Sequence, residues 1–176
     1  LAGDAQLCAV LKADAYGTGI DRVIPRLVAA GVGCVGIAST EEARMVRACG
    51  YRGRVLRVRA ATLGEVEAAW PYRVEELVGN LAVGQMLAAL ARRRRHALPV
   101  HLALNSAGMG RNGLELATGQ GRHDAVALVA AEGLRVVGLM THFPSEDPAD
   151  VRAGVDTFRE QADWLFANTA LRRGDV

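Results

Sequence analysis

The chain carries 21 basic residues, and only Lys12 among them is a lysine. A lysine can shed its proton and condense with an aldehyde to a Schiff base, chemistry closed to a guanidinium. In a chain that otherwise writes arginine for positive charge, Lys12 is the first candidate for covalent work. It opens the segment Lys12-Ala13-Asp14-Ala15-Tyr16-Gly17. A second polar cluster, residues 105–112, contains Asn105, Arg111 and Asn112, and a third surrounds His142. Each of these clusters stands at the end of a short apolar run.

Those runs are the strands that must position the three clusters. Strands are expected over residues 6–12, 33–38, 54–58, 74–78, 100–104 and 135–141. Helical patterns alternate with them over 20–31, 40–50, 63–70, 81–94, 123–132 and 148–172. Glu41 and Glu42 fall in the first turn of the second helix, where acidic residues suit the helix dipole. Six consecutive βα units argue for a parallel sheet covered by helices, doubly wound or a barrel. The strands read as near-continuous apolar runs, as strands buried on both faces do. A complete (β/α)8 barrel needs ~250 residues, so six units in 176 residues imply a TIM-like barrel lacking two units at its C-terminal end. In such folds ligands bind at the C-terminal ends of the strands. Lys12, Arg111 and His142 are therefore expected to converge at one mouth.

The segment AVLKADAYGTG around Lys12 resembles the cofactor-lysine motif of the alanine racemase family. NSAGMGRNGLE resembles that family's Gly-Met-x-Arg-x-Gly motif after the fifth strand, and THFPSED its Thr-His-Phe motif ending the sixth. Order and spacing agree across essentially the whole chain. Arg111 followed by Asn112 is closer to the broad-spectrum amino-acid racemases than to strict alanine racemases. The resemblance implies a pyridoxal 5'-phosphate enzyme that interconverts L- and D-amino acids by proton transfer between two bases. It implies that Lys12 binds the cofactor as a Schiff base and serves as one base, and that Tyr16 hydrogen-bonds the phosphate. Arg111 contacts the cofactor's phenolic oxygen and the substrate carboxylate, and His142 packs against the pyridine ring. Asn105 and Asn112 are assigned to the substrate side, where neutral amides leave room for larger or cationic side chains. The second base of the family is a tyrosine from a C-terminal β domain of a partner subunit in a homodimer. That domain lies outside residues 1–176, so the chain alone is expected to be inactive.

Cys8 and Cys34 lie in the first and second strands. Neighbouring parallel strands run ~4.8 Å apart, within the range a disulfide tolerates. Broad-spectrum racemases of the bacterial periplasm carry a pair at similar positions. The resemblance thus implies a Cys8–Cys34 bridge and a periplasmic protein, with two buried thiols in a cytoplasmic one as the alternative. No spacing suggests a metal site. Hydrophobic residues at 51% and charged residues at 23% fit a globular chain. A net charge of +2 gives no footing for nucleic acid, and no apolar run is long enough for a membrane span. The chain starts abruptly before a strand, so an upstream segment is expected. Gly31-Val32-Gly33-Cys34-Val35-Gly36 matches GxGxxG but follows a helix and enters a strand, the reverse of a dinucleotide loop. Arg92 to Arg95 read as a solvated helix end, and His96, His101 and His123 as surface residues. Two other readings belong to the same barrel: a non-catalytic pyridoxal-phosphate carrier, which suits a short chain, and a decarboxylase, which the Arg111 motif fits poorly.

Overall fold

The computed structural model describes residues 5–110 and 113–176. Six strands alternate with helices: β1 (Cys8–Val10), β2 (Cys34–Ile37), β3 (Arg54–Arg57), β4 (Val74–Val78), β5 (Leu98–Ala103) and β6 (Leu134–Met140). The helical segments are α1 (Lys12–Tyr16), α2 (Ile20–Ala29), α3 (Thr40–Ala48), α4 (Leu63–Ala69), α5 (Leu81–Arg94), α6 (Gly119–Val129) and α7 (Pro148–Asn168). Strand order follows chain order, β1-β2-β3-β4-β5-β6, and the described pairings are parallel. This is the α/β architecture expected from the alternating pattern, with six of the eight units of a (β/α)8 barrel. The chain divides into two compact units, Leu1–Glu76 and Leu77–Val176.

In the first unit, β1 and β2 pair in register, Cys8 with Cys34 and Val10 with Gly36. Ile20, Ile24, Val35, Ile37, Val46 and Val55 form its core and are fully buried. Burying one such side chain contributes roughly 1.5–3 kcal/mol, so the β-branched run of each strand and the apolar face of α2 and α3 hold the unit together. Two capping boxes fix helix starts, Ser39 with Glu42 at α3 and Thr62 with Glu65 at α4. Each satisfies backbone N–H groups that the first helical turn leaves without partners.

In the second unit, β5 and β6 run together from Leu98↔Leu134 to Ala103↔Met140, with an irregularity between Val100 and His101. Its buried side chains include Leu87, Leu90, Leu102, Leu104, Leu128 and Leu165. A Cβ on Gly84 of α5 would stand 2.0 Å from Leu128 Cδ2 of α6, so glycine lets these helices approach.

Three expectations are corrected. The first strand ends at Val10, and Lys12 begins α1 instead of closing β1. The helix expected over 123–132 starts earlier, at Gly119, because the Thr118 side chain accepts from Gly121 N–H and sets its N-terminus there. His101 is not a surface residue; it is buried in β5, with its ring over Gly138 of β6. Glycine leaves the room that an imidazole needs between two strands.

Candidate functional site

In the first unit, Leu11 continues the ladder beyond β1 by donating its N–H to Gly36 O at 2.7 Å. The chain then turns left-handed. Ala13, Asp14, Ala15 and Tyr16 all have φ between 51° and 55°, a region disfavoured for residues with a Cβ by roughly 1–2 kcal/mol each. Gly17, with φ 82°, closes the turn. Hydrogen bonds hold it: Ala15 N–H to Leu11 O (2.8 Å), Gly17 N–H to Ala13 O (2.9 Å) and Gly19 N–H to Asp14 O (3.0 Å). Asp14 Oδ1 also accepts from Ile20 N–H at 2.8 Å, which supplies the cap that Gly19 lacks at the start of α2. Backbone strain of this kind concentrates at functional sites and persists only where its surroundings enforce it.

The turn sorts its side chains. Leu11 and Ala15 are buried, while Lys12 and Tyr16 are exposed, with Lys12 Nζ 5.8 Å from the Tyr16 ring centroid. The structure therefore brings the candidate amine and the candidate phosphate-binding phenol together. A carboxylate of α3 anchors the same turn: Glu42 Oε1 accepts from Ala13 N–H at 2.8 Å.

Two strands further on, Arg57 of β3 and Glu76 of β4 form a bidentate ion pair, Nε to Oε2 at 2.8 Å and Nη2 to Oε1 at 3.2 Å. Both side chains are buried, at 0% and 1% exposure. Arg57 also donates to Ala38 O and to Thr40 Oγ1, so the buried guanidinium is met by acceptors on several sides, as a buried charge requires. Next to it Arg59 pairs with Glu65. Cys8 and Cys34 are free thiols that share a hydrogen bond, sulfur to sulfur 3.3 Å. The bond with Cys8 holds the Cys34 thiol down at about 7, helped by Arg54 and opposed by burial, and the Cys8 thiol is raised in turn.

In the second unit, β5 and β6 end side by side, with Leu104 N–H donating to Met140 O at 2.8 Å. Asn105 and His142 each follow within two residues. Asn105 ties the loop that leaves β5: its Oδ1 accepts from Gly110 N–H at 2.9 Å, and its Nδ2 donates to Glu115 Oε2 at 2.7 Å. Arg111 and Asn112 lie outside the described residues. His142 is exposed. Thr141 Oγ1, beside it, is buried and has no hydrogen-bond partner among the described residues. Ser106 Oγ donates to Gln161 Oε1 at 2.7 Å and ties the same loop to α7. A pocket of about 310 Å³ opens here between Ser106, Phe143, Ser145 and Thr157. A Cβ on Gly154 would meet Phe143 Cε1 at 2.9 Å and Ala107 Cβ at 3.0 Å, so glycine lets α7 approach both loops.

Sequence reasoning placed Glu42 at a helix start without its reach to Ala13, and it passed over Arg57 and Glu76. The signals were present. Ser39-x-x-Glu42 is a capping-box spacing, and charged residues within strand runs call for a buried partner.

Comparison with known proteins bears on the whole chain. The family described as alanine racemase, N-terminal domain, matches residues 1–173. The chain is 53% identical to the broad specificity amino-acid racemase of Pseudomonas taetrolens over 176 residues, covering 100% of this chain and 43% of that protein. It is 40% identical to the lysine racemase of Proteus mirabilis, again over 100% of this chain and 43% of the relative. The solved alanine racemase of Streptomyces coelicolor A3(2) superposes with a TM-score of 0.84 at 28% identity, covering 97% of this chain and 46% of that one. The chain thus spans less than half the length of these relatives.

Proposed function

The chain belongs to the alanine racemase family, and from that premise we propose that the protein carrying it racemises amino acids of varied side chain with pyridoxal 5'-phosphate. The observation that carries the reading is the lone lysine, exposed beside a phenol in a turn that the surrounding structure forces left-handed. The names of the relatives above support the same activity and its breadth.

The residues present fit the cofactor. A primary amine capable of bonding to an aldehyde stands exposed next to Tyr16. When bound, pyridoxal phosphate supplies an electron sink for the charge left at Cα by proton removal. Lys12 would hold the cofactor and serve as one base. Tyr16 would bind the phosphate, Arg111 the phenolic oxygen and the substrate carboxylate, and His142 would lie against the ring. Asn105 and Asn112 border the substrate side chain. The opposite face needs a second base, which this reading assigns to a tyrosine from a C-terminal β domain of the partner in a homodimer. Proton transfer by a positioned base contributes roughly 10²–10⁴-fold, so the loss of either base should lower turnover by about that factor.

The test uses the intact protein. Pyridoxal phosphate is added and the protein reduced with borohydride; the adduct should map to Lys12, and Lys12→Ala should abolish it. Chiral chromatography should show turnover of lysine, arginine and alanine. Alanine turnover alone would reject broad specificity. A covalently reducible cofactor in Lys12→Ala would reject the reading, and cofactor bound without turnover of any amino acid would make the protein a carrier.

A periplasmic site with a Cys8–Cys34 disulfide belongs to the same proposal, supported by the paired register of the two thiols and their 3.3 Å separation. Intact mass of periplasmic protein, alkylated with and without reductant, decides it: two thiols alkylated without reductant would refute the bridge.

A further inference from the structure

We propose that Glu42 is a positioning residue for Lys12, acting through the peptide that follows the lysine; this rests on the racemase reading above.

The two oxygens of Glu42 do different work. Oε2 accepts from Ala38 N–H at 2.7 Å and Ser39 N–H at 3.0 Å, and Ser39 Oγ in return accepts from Glu42 N–H at 3.1 Å. That exchange is complete as a capping box for α3. Oε1 is not needed for it. Instead it accepts at 2.8 Å from Ala13 N–H, 29 residues earlier in the chain. The Ala13 nitrogen shares its peptide bond with the Lys12 carbonyl, so this contact fixes the peptide plane on the C-terminal side of the lysine. A hydrogen bond to an ionised acceptor is about twice as strong as a neutral one.

Such an anchor is needed where it stands. Val10 is the last residue of β1 paired to β2, and Leu11 adds one further backbone bond to Gly36. Beyond it the four residues Ala13 to Tyr16 sit in a conformation that alanine, aspartate and tyrosine rarely adopt. Among the described residues, the bonds within the turn stabilise its shape but tie it only to itself, to Leu11 and to the start of α2. Glu42 ties it to the end of β2. The direction in which Lys12 leaves the backbone, and its 5.8 Å approach to Tyr16, are thus set from α3.

Two variants of the intact protein separate positioning from capping. Glu42→Gln keeps one acceptor, which the two N–H groups at the cap claim, and loses the second. Ser39→Ala removes the cap hydroxyl and leaves both carboxylate oxygens. Loss of a hydrogen bond to a charged group corresponds to about tenfold or more in an equilibrium constant. Glu42→Gln should therefore raise the dissociation constant for pyridoxal phosphate about tenfold and speed hydrogen exchange at the Ala13 amide about tenfold. Ser39→Ala should lower the thermal midpoint yet change both readouts by less than about twofold. Equal shifts in the two variants would reduce Glu42 to a cap and overturn the proposal. So would unchanged Ala13 exchange in Glu42→Gln, or faster exchange with cofactor affinity intact. If the wild-type protein bonds no cofactor at Lys12, the racemase reading fails by itself. The exchange comparison needs no cofactor and still decides whether Glu42 holds the turn.

Discussion

Within the first unit the strand ends are held by charged side chains; within the second the residues that follow β5 are themselves neutral, although one of their partners is a carboxylate. Glu42 binds the turn after β1, and the buried pair Arg57–Glu76 joins β3 to β4. By contrast the Asn105 amide ties its loop to Gly110 N–H and to the Glu115 carboxylate, and Ser106 reaches α7 through a hydroxyl and Gln161. The two solutions differ in what their loss costs. A buried ion pair gives little net stability, because desolvation offsets most of the attraction, but removing one member strands the other charge. A neutral hydrogen bond contributes about 1 kcal/mol net, and losing it costs less than stranding a buried charge. The charged set thus makes the lysine side of the chain intolerant of change.

The largest expected effect is that of Glu76→Ala. It leaves Arg57 buried and unpaired, and should destabilise the protein by about 3–5 kcal/mol, read as a fall in the urea midpoint. Ser106→Ala removes a half-buried neutral bond and should cost about 1 kcal/mol in the same measurement. If the two variants fell together, the contrast between charged and neutral strand ends would be lost. The smallest effect leaves stability aside and sharpens the charged side alone. In reduced protein, alkylation of Cys34 should rise with pH around about 7, below the ordinary thiol range. The sign follows from the reactive form: the thiolate is the nucleophile, so a lowered value moves the onset to lower pH. Peptide mass mapping of alkylated Cys34 across pH 6 to 9 (a range spanning the ordinary thiol value of about 8.5) gives the midpoint. Cys34→Ser removes the main cause of the raised Cys8 thiol and should move Cys8 alkylation to lower pH than in the unsubstituted protein.

Much of the fold was readable because parallel strands buried on both faces leave unbroken apolar runs, and β2, β4 and β6 lie within two residues of their expected bounds. Lys12 was readable by type, as the one basic residue with carbonyl chemistry. Its surroundings were not. Nothing in Ala13-Asp14-Ala15-Tyr16 signals left-handed backbone, since that signature is normally glycine. His101 looked like a surface residue because its burial depends on Gly138, which lies in another strand.

By itself the sequence determined the alternation of strands and helices, the acidic first turn of α3, and which residue is the candidate amine. These depend on local periodicity and residue chemistry, which the linear order carries. Only the tertiary structure decided that the lysine sits in a strained turn, that Glu42 reaches it across 29 residues, and that Arg57 is matched by Glu76. Each of these is a contact between distant segments, and its energy exists only once the strands have been brought side by side.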